Sequence, residues 1–172
     1  MTTSLTSLKQ ETHNNTIKSK KIKVFVYGSL LSGLHNNGFL EGTRKFSNGT
    51  LCFRGRMVDL GDYPALELDQ TCVPILVEGE VYEVDSLNLL DYLESNGILY
   101  QRYRVSVDTD HGAKTCWVYF SKMPRRILKR FPTVGNVDDI VSWRSHISEK
   151  LIASIPLKSI TNVNGASNDT TK

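Results

Sequence analysis

Between residues 21 and 121 the chain carries six stretches that read as β-strands and a single stretch of helical periodicity, an order that excludes most fold classes at once. The strand readings are Lys21–Tyr27, Thr50–Asp59, Tyr63–Leu68, Ile75–Val84, Gln101–Asp108 and Lys114–Ser121. The fourth is the most explicit, with Glu78, Glu80 and Tyr82 alternating against Val77, Gly79 and Val81 at the two-residue period of a pleated strand. Gly61-Asp62 reads as a turn, and Thr109–Ala113 as a hairpin turn between the last two strands. Parallel strands need a helical crossover between them, yet helical pattern enters only after the fourth strand, from an Asp85/Ser86 cap to about Ser95, with Gly97 just past its end. A second helix is expected over Asp138–Leu151. This order predicts an α+β fold: a small, mostly antiparallel twisted sheet curling toward a β-barrel, with a few helices at its edge.

Composition fixes the limits of that unit. Residues 1–20 and 158–172 are rich in Thr, Ser, Asn and Lys and poor in large apolar side chains. Such segments bury too little to offset chain entropy, so disordered tails are expected on either side of one domain at 21–157. The formal charge of +3, from 21 basic and 18 acidic residues, is too small an excess for a nucleic-acid surface. No apolar run approaches the ~20 residues of a membrane span, and residues 1–20 lack the apolar centre of a signal peptide, so a cytoplasmic protein is expected. Cys52, Cys72 and Cys116, widely spaced among strand formers, read as buried free thiols of a reducing compartment.

Two features carry chemistry. In the helical stretch SLNLLDYLE, Leu87, Leu89, Leu90 and Leu93 share one arc, and Asn88, Asp91 and Tyr92 fall outside it. Glu94 falls inside, seven positions from Leu87 and so about 20° away around the helix. Partial burial there, next to the negative end of the helix dipole, raises a carboxyl pKa toward the range useful for moving protons at neutral pH. The commoner outcome of such a pattern is an ion pair, with Arg102 or Arg104 as the available partners, or escape to solvent at the helix end.

The second feature is VFVYGSL at 24–30, an apolar strand that ends on Gly28-Ser29. It is no P-loop, since no Gly-Lys-Ser/Thr follows, and no dinucleotide fingerprint, since GSLLSG lacks the second glycine. It is either a plain turn or a short run of backbone donors suited to a carboxylate or a developing oxyanion. The histidines have no metal-ligand spacing, and no serine sits in a G-x-S-x-G elbow. The basic KMPRRILKR stretch at 122–130 reads as a solvated loop or helix.

Taken in order, VFVYGSL at 24–30, YPAL at 63–66, VEGEVYEV at 77–84, LDYLE at 90–94, YQRYRVSV at 100–107 and WVYF at 117–120 resemble the γ-glutamylcyclotransferase-like superfamily. The resemblance is to its branch of γ-glutamylamine cyclotransferases and avirulence-induced-gene-2-like proteins. It covers 24–120, and SWRSHI at 142–147 is similar to the family's closing segment.

The resemblance implies a small β-barrel-like fold and a reaction without metal or cofactor on a small-molecule γ-glutamyl substrate. In that reaction the free α-amine attacks its own γ-carbonyl, closing 5-oxoproline and expelling an amine or amino acid. Carried over by position, Tyr27, Gly28, Ser29 and Leu30 match the substrate-binding loop and Glu94 the catalytic glutamate. Tyr63, Arg102 and Tyr119 match recurrent positions that line the pocket or brace the glutamate. One departure stands out: Val141-Ser142 precede Trp143-Arg144 where the family has Gly-Asp, which bears on substrate choice if that region shapes the leaving-group side. A noncatalytic binding or stress-response protein of the same fold, and an amidohydrolase using water, are the alternatives.

Overall fold

The computed structural model describes residues 21–136 and 138–154. Its strands are β1 (Ile22–Val26), β2 (Arg44–Asp59), β3 (Pro64–Leu68), β4 (Pro74–Val84), β5 (Tyr100–Thr109), β6 (Lys114–Ser121) and β7 (Ile140–Val141). Its helices are α1 (Asn88–Leu93), α2 (Arg125–Leu128) and α3 (Trp143–Ser154). Five strands close on themselves in the order β2-β5-β6-β1-β4, with β4 returning to β2. The β1–β6 contact is parallel, and the other four contacts of the ring are antiparallel. The expected α+β class, with a mostly antiparallel sheet closed into a barrel, is what the chain adopts.

A sixteen-residue β2 makes closure possible, because it pairs β4 along most of its length and β3 with its far end. Its partner changes from β4 to β3 at Gly55, where φ is 155° and an added Cβ would collide with the Glu67 carbonyl oxygen. Phe25, Leu51, Met57, Val77, Val81, Val118 and Phe120 are among the side chains of the continuous core.

Several local expectations are corrected. β2 begins at Arg44, six residues before the expected Thr50, because Ser47, Asn48 and Gly49 pair against β4 despite their turn-like composition. α1 is shorter than the expected 85–95, with Ser86 Oγ accepting from the Asn88 amide at 3.1 Å, and Leu89 is 52% exposed. The left-handed residue directly past Glu94 is Ser95 at φ 46°, while Gly97 at φ 90° serves the next turn. The last helix starts at Trp143, not 138, because Ile140 and Val141 add β7 beside β4. The cysteines are free, but Cys116 alone is buried; Cys52 is exposed and Cys72 half-buried. Glu80, one of the polar positions of the alternating run in β4, is only 5% exposed. The expected tails lie outside the described residues, and among these no helix is long and apolar enough to cross a membrane.

Candidate active site

The end of β1, the β3 start, the last turn of α1 and the facing edges of β5 and β6 enclose a cavity of about 190 Å³. Its wall includes Tyr27, Gly28, Ser29, Leu30, Tyr63, Glu94 and Tyr119, seven of the eight residues singled out from the sequence. They come from positions 27 to 119, so only the closed barrel brings them together. The eighth, Arg102, is not in the wall; its guanidinium reaches Asp91 at 3.3 Å and stacks over Trp117 at 4.8 Å. Tyr119 donates to the same Asp91 at 2.7 Å. Arg102 thus braces α1 from behind instead of facing the cavity.

Glu94 caps α1, its amide donating to the Leu90 carbonyl at 2.9 Å, which turns its side chain inward among Tyr27, Leu93, Leu99 and Tyr100. Neither arginine of the ion-pair reading reaches it: Arg102 is taken by Asp91, and Arg104 lies over Trp117 at 5.9 Å. Among the described residues Glu94 has no salt bridge. Burial without compensation pushes its carboxyl up from 4.5 to about 7. Burial, with Glu94 adding to it, also pushes the neighbouring phenols of Tyr27 and Tyr100 well above their ordinary value.

The loop after β1 lines the same cavity. Gly28 is needed there for a packing reason, since a Cβ would sit 2.7 Å from Pro64 Cδ. Its φ is not in the left-handed region, so turn geometry is not what selects it. Downstream the loop is tied by Leu31 N–H to the Gly28 carbonyl at 2.9 Å and Asn36 N–H to the Ser29 carbonyl at 3.1 Å. Asn36 Nδ2 donates to Ser29 Oγ at 3.0 Å and Asn37 Nδ2 to the Leu30 carbonyl at 2.8 Å. The amides of Gly28, Ser29 and Leu30 donate to no protein acceptor among the described residues. Backbone of Gly28–Leu30 without an acceptor among the described residues and a carboxyl poised near neutrality line one cavity, a combination able to hold an anion and move a proton on one small ligand.

Sequence reasoning missed Tyr100, Asn36, Pro64 and Asp91. Tyr100 opens β5 one residue before the expected strand and is buried in the cavity wall. Its signal was an aromatic directly after the exposed pair Ile98-Leu99, where a strand enters the core.

With this geometry in place, comparison with known proteins is decisive. The sequence profile described as "Gamma-glutamyl cyclotransferase, AIG2-like" matches residues 24–136, from the first strand of the barrel past the last. The chain belongs to this family. A Vibrio cholerae protein described as "Putative gamma-glutamylcyclotransferase" is 35% identical over 107 residues, covering 60% of this chain and 85% of that one. The crystal structure of a mouse AIG2-like protein is similar with a TM-score of 0.58 at 25% identity, over 66% of this chain and 85% of that one. YkqA of Bacillus subtilis gives 0.55 at 25% identity over 76% of this chain, which spans 43% of YkqA. The γ-glutamyl cyclotransferase fold is thus shared across bacterial and animal relatives.

Proposed function

We propose that this protein is a γ-glutamyl(amine) cyclotransferase that releases 5-oxoproline and an amine or amino acid. The observation that carries the reading is Glu94: a carboxyl with no charge partner among the described residues, raised to about 7, lining one cavity with Gly28, Ser29 and Leu30, whose amides have no acceptor among the described residues. The cavity is below the ~300–1,000 Å³ of pockets for drug-sized ligands, which suits a group the size of a glutamyl unit.

The loop amides hold the substrate's carboxylate or the oxygen of the γ-carbonyl as charge develops on it. Glu94 takes a proton from the α-amine as the amine nitrogen bonds to the carbonyl carbon of the γ-amide. It then returns that proton to the departing nitrogen as the old C–N bond breaks, so one carboxyl serves both steps and no external proton is consumed. Nucleophile and electrophile belong to one molecule, so holding the folded conformer supplies much of the acceleration. Tyr27, Tyr63 and Tyr119 contribute walls that position the chain.

The test is 5-oxoproline release from a panel of γ-glutamyl amines and γ-glutamyl amino acids by the wild type and by Glu94→Gln. Turnover that falls by ~10²–10⁴-fold in Glu94→Gln, with 5-oxoproline still binding, is expected for loss of a general acid–base. A Glu94→Gln variant with undiminished turnover refutes the assignment. Binding of 5-oxoproline by a wild type inactive across the panel supports the noncatalytic alternative instead.

A further inference from the structure

We propose that Glu80 and Arg144 are positioning residues that buttress the donor loop from its far side, so that α3 is part of the working site; this rests on the cyclotransferase reading above. Glu80 faces Val26, the last residue of β1, across the β1–β4 ladder. Its carboxylate therefore emerges where the loop leaves the strand. It accepts from the Ser32 amide at 2.8 Å, Ser32 Oγ at 2.5 Å, Lys45 Nζ at 2.8 Å and Tyr82 Oη at 3.1 Å. Arg144, on α3, donates through one Nη2 to the Ser32 carbonyl at 2.9 Å and approaches Glu80 Oε1 at 3.5 Å. Asn37 closes the circuit, its Nδ2 bridging the Leu30 carbonyl and Tyr82 Oη.

Ser32 is thus held at three atoms: amide, hydroxyl and carbonyl. At the other end Gly28 lies so close to Pro64 that no side chain fits between them, and the amides of Gly28, Ser29 and Leu30, with no acceptor among the described residues, lie between these two points. Neither Glu80 nor Arg144 lines the cavity with Glu94. A buried carboxylate with this many donors is costly to assemble unless its geometry serves something, and what it fixes here is one loop. Arg144, directly after the Val141-Ser142 departure from the family pattern, thus acts on the donor side of the site. Arg144 lies past the matched region, which ends at 136, so this half of the buttress is supplied by the segment that follows it.

Arg144 is half-exposed, so Arg144→Met removes the contact without opening the core, and Glu80→Gln is the stricter variant if it folds. On a substrate that the wild type cleaves, loss of one charge-assisted hydrogen bond to the loop is expected to raise KM about tenfold with kcat within about twofold. The acidic limb of the pH profile stays in place, and Arg144→Lys recovers part of the loss. In the ligand-free protein, the loop amides of Leu31, Leu34 and Asn36 are expected to exchange hydrogen about tenfold faster in Arg144→Met, with β2–β4 amides unchanged. A fall in Tm with KM and loop exchange both unchanged overturns the proposal. A wild type that cleaves nothing defeats the cyclotransferase reading, and loop exchange then decides the buttress independently.

Discussion

At the scale of single residues, the account turns on a carboxyl that the fold leaves without a partner. With Glu94 at about 7, kcat/KM for 5-oxoproline release is expected to rise through an acidic limb near pH 7, since below it the base is already protonated. A limb near the ordinary 4.5 would contradict this. The same shift has a stability consequence of defined sign. Below about pH 4.5 both folded and unfolded chains carry the proton and no penalty exists; from 4.5 to 7 the unfolded chain ionises first and the folded state loses ground. Glu94→Gln is therefore expected to unfold at higher denaturant than wild type at pH 8, by on the order of 2–3 kcal/mol, and to lose that advantage at pH 4. Gly28→Ala has the opposite effect, because its Cβ must displace Pro64 from the cavity wall, and a loss of about 1–3 kcal/mol is expected in denaturant melts.

At the scale of elements, α3 is fixed to the barrel by Asp59, which accepts from His146 Nε2 and Lys150 Nζ at 2.8 Å each. Burial opposes ionisation of Asp59, but these bonds and the Gly61 amide hold it at about 2 instead of 3.8. That contribution is complete above pH 4 and fades as pH falls through 2, so Asp59→Asn is expected to speed hydrogen exchange in α3 at neutral pH and to change little near pH 2. Protection of α3 that is unchanged in Asp59→Asn at neutral pH would contradict this anchoring. The strands were legible in the sequence because alternation is a local signal, as in β4 and the β5–β6 hairpin. Glu94 was legible because a carboxylate in an apolar arc is a local conflict. Glu80 was not: alternation alone puts it on an outer face, and its burial is created by a loop and a helix, the latter more than sixty residues away, that fold over that face. Nor was Asp91, whose partners Arg102 and Tyr119 reach it only because the β5–β6 hairpin passes behind α1. The start of β2 was hidden because Ser47, Asn48 and Gly49 have turn composition, and pairing with β4 overrides it.

At the scale of the whole molecule, barrel closure determines what can leave. Among the described residues no lysine or arginine lines the cavity, and Tyr63 and Leu99 in its wall are 44% and 50% exposed. An α-amino-acid leaving group carries its carboxylate two bonds from the scissile nitrogen, and so next to Glu94 with no cation to offset it. Like charges at such spacing cost up to about 4 kcal/mol, so a γ-glutamyl alkylamine is expected to exceed a γ-glutamyl α-amino acid by ~10–100-fold in kcat/KM. Equal kcat/KM for the two would show that this repulsion is relieved elsewhere. The central claim, that the substrate's own amine and not water attacks the carbonyl, is tested most directly by running one turnover assay in oxygen-18 water and reading the product by mass spectrometry. The account predicts 5-oxoproline carrying no solvent oxygen. Free glutamate bearing one labelled oxygen would make the protein a hydrolase and contradict it.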